Sequence, residues 1–371
     1  MTTKTPLKRP IVLMAGGTGG HVFPALAIAE ALQKQGFSVH WLGTQRGLEA
    51  RVVPAAGIPI HYITISGLRG KGLFSLLSAP FKIALAIGQS IRVLRAQRPL
   101  AVVGMGGFVT GPGGIAAWLS RIPLVIHEQN AIAGLTNRWL GRIASQVLEA
   151  FAGTFPASYR AIHTGNPLRA AIMALSAERT VRHPLHILVV GGSLGAQALN
   201  ECIPQALQQV QQPISVWHQT GEAHIDIMQQ AYTQAIFPLR LEAFIDDMAR
   251  AYAWADLVIC RAGALTVSEL AHAGRASILI PYPHAVDDHQ THNAEFLVAQ
   301  GAALRIPQAQ LNPEDLAHLL NTLQPKQLQA MSQAACRCAT PKALTQIMTV
   351  IQKTALPTDA TQTVNLLQNE K

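Results

Sequence analysis

One pattern occurs twice in this chain of 371 residues. "IVLMAGGTGG" begins at residue 11 and "ILVVGGSLGA" at residue 187; each is an unbroken apolar run, a glycine pair, a hydroxyl residue and the start of a helix-like stretch. A strand without polar alternation has to be buried on both faces, which a parallel sheet wrapped by helices provides. Further β-like runs follow the first copy at 38–43, 60–65, 101–104 and 123–127, with helix-like segments between them, among them Ala25–Gln35 and Ser75–Arg95. The second copy lies in the run "HILVVGG" (186–192) and is followed by runs at 214–219, 241–245, 257–260 and 276–280. The repeat predicts an α/β protein of two Rossmann-like domains, one per half. Gly165 and Pro167 of "TGNPLR" interrupt the pattern, which gives domains of 1–166 and 167–340 and a helical tail, 341–371, too short to be a domain.

Apolar residues make up 49% of the chain, enough for two packed cores. Charged residues are only 13%, so the net charge of +9 reflects scarce acids more than dense bases. A positive balance suits an anionic partner, either a phosphorylated substrate or an acidic lipid surface. Nucleic acid is not expected, because aromatics are 5% and there is no long Lys/Arg block. The four cysteines (202, 260, 336, 338) form no C-x-x-C pair, which removes zinc ribbons and disulfide scaffolds. With no signal-peptide pattern, a reducing cytosol is expected. Leu100 to Ser120 carries no charge but holds glycines 104, 106, 107, 111, 113 and 114 and Pro112, so it reads as strand, loop and helix rather than a membrane span.

The glycine turns exclude the commonest nucleotide chemistries. Counting from Gly17, Val22 stands where a dinucleotide fingerprint needs its third glycine, and the next strand ends "WLGT" without an acid. No G-x-x-x-x-G-K-[S/T] occurs. What remains is a pair of open turns at helix N-termini, suited to a diphosphate or a sugar. "CRAGALTVSELAHAG" (260–274) adds a strand, a glycine turn and a helix that carries Glu269 early. That carboxylate either complements the helix dipole or accepts hydrogen bonds from vicinal ribose hydroxyls.

Taken together, "GGTGGHVFPALAIAEAL", "GMGGFVTGP", "HEQNAIAGLTNRWL", "TGNPLR", "GGSLGAQALN" and "CRAGALTVSEL" resemble the MurG family, in family order from residue 16 to about residue 295. That family comprises the N-acetylglucosaminyltransferases that convert lipid I to lipid II in bacterial peptidoglycan synthesis. The resemblance implies the glycosyltransferase B fold, two Rossmann-like domains facing across a cleft. It implies UDP-N-acetylglucosamine on the second domain, with Ser193 beside the donor, Ile245 at the uracil, and Ala264, Leu265, Thr266, Val267, Ser268 and Glu269 around diphosphate and ribose. Gln290 reads the transferred sugar, and Arg169 meets the donor from the hinge. Thr18, Gly19, Gly20 and Asn130 reach the donor from the first domain. Gly104, Gly106, Gly107 and Glu128 fall to the acceptor's diphosphate side.

The implied reaction is attack of a muramyl hydroxyl on the donor's anomeric carbon, with inversion and loss of UDP. It needs a base at the hydroxyl and charge stabilisation at the diphosphate. His21 follows the first glycine turn, and an ordinary imidazole, with pKa near ~6.5, suits a base at neutral pH. The alternatives are a histidine that only shapes the loop and a base at Glu128, whose plainer role is to brace its own loop. A side chain at Gly19 or Gly20 would fill the ligand space or meet an unfavourable φ.

"PYPHAVDDHQTHNAE" (281–295) concentrates His284, Asp287, Asp288, His289 and His292, types that ligate metals. "DDHQTxNA" fits the family's donor-sugar loop instead, so no metal and no cofactor are expected. A polyprenyl acceptor implies a peripheral enzyme on the cytoplasmic face of the inner membrane. "GLFSLLSAPFKIALAI" (72–87), beside Arg69, Lys71 and Lys82 and followed by Arg92, Arg95 and Arg98, offers apolar insertion flanked by cations. Residues 72–81 are expected at the membrane and Ile83 to Ile91 in the core. Two rivals are a UDP-N-acetylglucosamine epimerase on the same architecture and a non-catalytic scaffold that keeps nucleotide-sugar binding.

Overall fold

The computed structural model describes residues 9–65, 78–175, 180–192 and 194–356. They form two compact units, one running to Leu168 and taking in the segment from Lys342, the other Arg169–Pro341. Each is built on a parallel sheet.

The first sheet has seven strands: β1 (Ile11–Met14), β2 (Val39–Gly43), β3 (Ile60–Tyr62), β4 (Ala101–Gly104), β5 (Leu124–Glu128), β6 (Gln146–Glu149) and β7 (Ile162–His163). Their order is β3-β2-β1-β4-β5-β6-β7, every pair parallel. The second has six: β8 (Leu185–Val190), β9 (Ile214–Gln219), β10 (Leu239–Glu242), β11 (Leu257–Cys260), β12 (Ala276–Leu279) and β13 (Ala303–Arg305), ordered β10-β9-β8-β11-β12-β13.

Burial explains the unbroken apolar runs. Ile11 and Leu13 enter one layer of core with Val39, Trp41 and Val103, whereas Val12 and Met14 enter the opposite layer with Leu42, Val102 and Ile126. Successive side chains point to opposite faces, and both faces are covered. In the second unit Ile187, Val189, Val216, Ile259 and Ile278 build the equivalent core.

β6, β7 and β13 are strands the apolar pattern did not predict. Each is short, and β7 is exposed at both residues, so neither run length nor burial marks it. The run expected at 241–245 becomes β10 two residues earlier, leaving Ile245 in the loop beyond the strand. The helix expected from Ala25 begins at Gly19 and runs to Lys34 with Pro24 inside it. Proline there removes one second-turn hydrogen bond, while the amides of the first turn lack intrahelical partners in any helix.

The last described helix, Ala343–Ala355, belongs to the first unit. Ile347, Met348, Ile351 and Ala355 form one apolar stripe packed into the core with Ile11, Leu13 and Ile28.

Candidate active site

In each sheet the strand order reverses beside the first strand of its unit, between β1 and β4 and between β8 and β11. Open parallel sheets bind ligands beyond the carboxyl ends of strands at such a reversal, because the loops there diverge to opposite faces. The glycine turns occupy these positions: residues 15–18 after β1, 105–109 after β4, 191–196 after β8 and 261–263 after β11.

In the first unit two turns interlock. Gly17 has φ +95° and Gly107 has φ +80°, and a side chain on Gly107 would strike the carbonyl oxygen of Gly16. A Cβ on Gly106 (φ +96°) would come within 2.9 Å of Cε1 and Nδ1 of His21, so that glycine leaves room for the imidazole. Gly104 lies inside β4 with Thr110 and Ile126 against it; its missing side chain serves packing. Of the two alternatives at Gly19 and Gly20, filled ligand space or an unfavourable φ, the second does not hold, because neither glycine has positive φ. They open the Gly19–Lys34 helix, and the positive φ falls on Gly17. Thr18 is the N-cap, and its side chain makes no capping bond, so the helix start stays available to an anion.

His21 Nδ1 lies 2.8 Å from Gln129 Oε1. Gln129 Nε2 is 3.0 Å from both His127 Nδ1 and the His127 carbonyl oxygen, and His127 Nε2 is 3.0 Å from the carbonyl oxygen of Gly165. Burial holds the His127 pKa down to about 4. Glu128 points elsewhere. Its Oε1 accepts from the backbone and side-chain nitrogens of Asn130, and its Oε2 from Gly134 N and Asn137 Nδ2, all within 3.1 Å. Four donors on a buried carboxylate make it the brace of the loop that carries Asn130.

Sequence reasoning missed Glu49. Fully buried, it accepts from Gly17 N (3.2 Å) through Oε2 and from Thr44 N (3.0 Å) and Thr44 Oγ1 (2.8 Å) through Oε1, which pins the glycine turn. A signal was available, since Glu49 is the sole acid between Glu30 and Glu128.

In the second unit the helix Ala264–Ala273 starts after Gly263, which has no side chain with which to cap it. Val267 N is taken by the Gly263 carbonyl at 2.9 Å and its side chain is buried, so the amides of Ala264, Leu265 and Thr266 are those open to an anion. Ser268 Oγ donates to Ala264 O at 3.0 Å. Glu269 is buried: Oε1 is 3.4 Å from Arg169 Nη2 and Oε2 accepts from Tyr252 OH at 3.0 Å. Burial pushes its pKa up, against the opposing pull of Arg169 and of the Tyr252 hydrogen bond. Each oxygen retains a further lone pair.

Gln290 Oε1 accepts from Ala262 N (3.2 Å) and Tyr282 N (2.9 Å), tying its loop to the turn after β11. Ile245 is buried beside the half-exposed Phe244. Ser193 lies outside the described residues; Gly192 before it is held by Gln219. The carboxamide of Gln219 accepts from Gly192 N at 3.1 Å and donates to Gly192 O at 2.8 Å and Ala243 O at 3.1 Å. Arg261 was also missed: it donates to Ile280 O, Pro281 O and Gln308 Oε1 and so fixes the loop leading to Gln290. In the polar loop His289 Nδ1 faces Val286 O and His292 Nδ1 faces Asp288 O, and among the described residues no three His, Cys, Asp or Glu side chains converge as a metal site.

Comparison with known proteins follows the same division. Residues 11–149 match the glycosyltransferase family 28 N-terminal domain and 186–348 the glycosyltransferase family 28 C-terminal domain. A Methylococcus capsulatus protein named UDP-N-acetylglucosamine–N-acetylmuramyl-(pentapeptide) pyrophosphoryl-undecaprenol N-acetylglucosamine transferase is 54% identical over 332 residues, which span 89% of this chain and 94% of the relative. A relative of the same name from Stutzerimonas stutzeri is 51% identical over 350 residues, 93% and 98% of the two chains. Among solved structures, MurG of Acinetobacter baumannii is similar with a TM-score of 0.82 at 46% identity, covering 93% of this chain and 99% of that one. The glycosyltransferase of kitacinnamycin shares the fold at 16% identity and a TM-score of 0.72.

Proposed function

Since the chain belongs to the MurG family of glycosyltransferase family 28, we infer that it transfers N-acetylglucosamine from UDP-N-acetylglucosamine to the muramyl sugar of undecaprenyl-pyrophosphoryl-N-acetylmuramyl-pentapeptide. The observation that carries this reading is identity of 54% and 51%, over 89% and 93% of the chain, to enzymes of that name. The geometry agrees with it chemically. The second unit offers what a nucleotide diphosphate-sugar needs: an open helix start at Ala264 to Thr266, the Glu269–Arg169 pair for ribose and phosphate, and Gln290 for the sugar. The first unit supplies His21, which takes the proton of the attacking hydroxyl as the anomeric carbon–oxygen bond to UDP breaks with inversion. Gly106 and Gly107, with the helix start at Thr18 to Gly20, take the acceptor's diphosphate and the near side of the donor.

The lipid-linked acceptor places the enzyme peripherally at the cytoplasmic face of the inner membrane. No helix among the described residues is long and apolar enough to cross a bilayer. Three helices packed in succession, Ala79–Gln97, Thr110–Leu119 and Leu135–Leu140, expose Phe81, Leu85, Trp118 and Trp139, with Lys82 exposed beside Phe81 and the Arg142 guanidinium 4.7 Å above the Trp139 ring. Large apolar side chains beside cations suit an anionic lipid surface. The expected core helix divides accordingly: Ala86, Ser90 and Leu94 are buried, and the opposite side is open. The stretch 72–77 lies outside the described residues.

Turnover decides the function. Purified protein given UDP-N-acetylglucosamine and a lipid-linked muramyl acceptor is expected to release UDP and form the disaccharide, and to leave donor alone unchanged. Turnover of donor alone would indicate the epimerase, and no turnover in either mixture the binding scaffold.

A further inference from the structure

The hydrogen-bonded chain behind His21 has a direction set at its far end. The Gly165 carbonyl can only accept, so His127 Nε2, 3.0 Å away, carries a proton. His127 is fully buried with a pKa of about 4, so its ring is neutral and its Nδ1 is an acceptor. Gln129 Nε2 faces that Nδ1 and the His127 carbonyl oxygen, each at 3.0 Å. Two acceptors therefore take the two amide protons and orient the carboxamide without ambiguity. Gln129 is 1% exposed, and its own carbonyl accepts from Asn166 Nδ2 at 3.0 Å, so the residue has little room to turn. Its Oε1 is left 2.8 Å from His21 Nδ1. An amide oxygen cannot donate, so His21 Nδ1 must.

We infer that Gln129, oriented by His127, is a positioning residue that locks His21 in the Nδ1–H tautomer and leaves Nε2 as the nitrogen that gains and loses the proton. Free imidazole side chains favour the opposite tautomer, so the lock changes which atom is basic. A Cβ on Gly106 would come within 2.9 Å of the ring, so glycine there makes room for it. The other ionisable groups on the elements around the ring have partners of their own. Glu49 holds Gly17 and Thr44, Glu128 holds Asn130, Gly134 and Asn137, and His127 holds Gly165. The inference deepens the reading of His21 as the base, and only its activity arm rests on that reading.

The test has two arms. Nitrogen-15 NMR of the full-length protein labelled at histidine, with His21→Ala to assign the signal, reports which ring nitrogen of neutral His21 carries hydrogen. Nδ1–H is expected, and Nε2–H would overturn the inference whatever His21 does in turnover. In the activity arm, Gln129→Met keeps the volume and removes the acceptor. It is expected to lower kcat at least about tenfold, within the ~10²–10⁴-fold contribution of the base itself, with donor KM unchanged. Because the residue acts through His21, the same substitution added to His21→Ala should cost nothing more. An equal loss in both backgrounds would overturn the positioning role. Should Gln129→Met fail to fold, the tautomer of the wild-type protein decides alone. A wild-type Nδ1–H signal together with full activity in His21→Ala would keep the lock and reject the base.

Discussion

At His21 the fold engages one ring nitrogen, and the proposed function assigns the other to the substrate hydroxyl. Nδ1 is tied to Gln129, so Nε2 is the atom that can reach a hydroxyl. A general base acts in its deprotonated form, which gives the kcat–pH profile an acidic limb. His21→Ala is therefore expected to lower kcat by ~10²–10⁴-fold, with donor KM little changed, and to flatten the acidic limb of the kcat–pH profile. Rates measured against pH at saturating donor and acceptor check this; a variant that keeps both its rate and its acidic limb has lost only a loop-shaping side chain. Glu269 holds Arg169 and Tyr252 through separate oxygens, with a lone pair left on each for a ribose hydroxyl. Glu269→Ala should remove charge-assisted bonds worth about 1.5–3 kcal/mol each and weaken UDP binding, while 2′,3′-dideoxy-UDP binds nearly as before. Calorimetric titration of both nucleotides separates these outcomes, and equal losses would exclude the ribose contact.

At the scale of elements, two helix starts without side-chain caps lie at the carboxyl ends of two sheets. The glycines around the first of them differ in what they do. Gly107 needs its φ of +80°, and a side chain there would collide with the Gly16 carbonyl, so Gly107→Ala should cost more than ~1–2 kcal/mol of stability. Gly20 has helical backbone, and a Cβ on it meets only Thr18 Oγ1, at 3.7 Å. Gly20→Ala should therefore melt at or slightly above the wild-type temperature, because alanine favours helix. If ligand occupies that helix start, the same variant loses activity; unchanged melting together with unchanged kcat/KM would remove Gly20 from the site.

At the scale of the molecule, surface and pH bring two expectations. Serine at Phe81, Leu85, Trp118 and Trp139, all at least 54% exposed, should weaken binding to anionic liposomes in a sedimentation assay and leave UDP binding and melting unchanged. Loss of folding would show that these side chains are core. Acid acts through buried histidines. His127 and His218 are neutral in the fold, with pKa values held by burial at about 4 and about 3 against an ordinary 6.5. The unfolded chain binds the protons first, so this stability is complete above pH 6.5 and is lost as pH falls towards those values. For His127 the gap corresponds to roughly 3 kcal/mol. Urea unfolding between pH 7 and pH 4 should show the decline, and His218→Phe should flatten part of it.

Ten of the thirteen strands among the described residues and both glycine turns were legible in the sequence, because burial on two faces forces a continuous apolar run and a left-handed turn calls for glycine. His21, Glu269 and Gln290 stood out as polar residues close to those turns. The partners that orient them did not. Glu49 is 32 residues from the amide it holds and Gln129 is 108 from His21; Arg169 was expected at the donor, but its pairing with Glu269, 100 residues away, was not, and only a folded chain closes such distances. The short strands β7 and β13 and the return of Ala343–Ala355 to the first unit were hidden for the same reason: edge pairing and helix docking depend on which surface lies opposite, and local composition carries no record of it. Local sequence determined the turns and the chemical groups beside them. Tertiary structure decided which atom of each group is free to act, because that depends on what holds the other one.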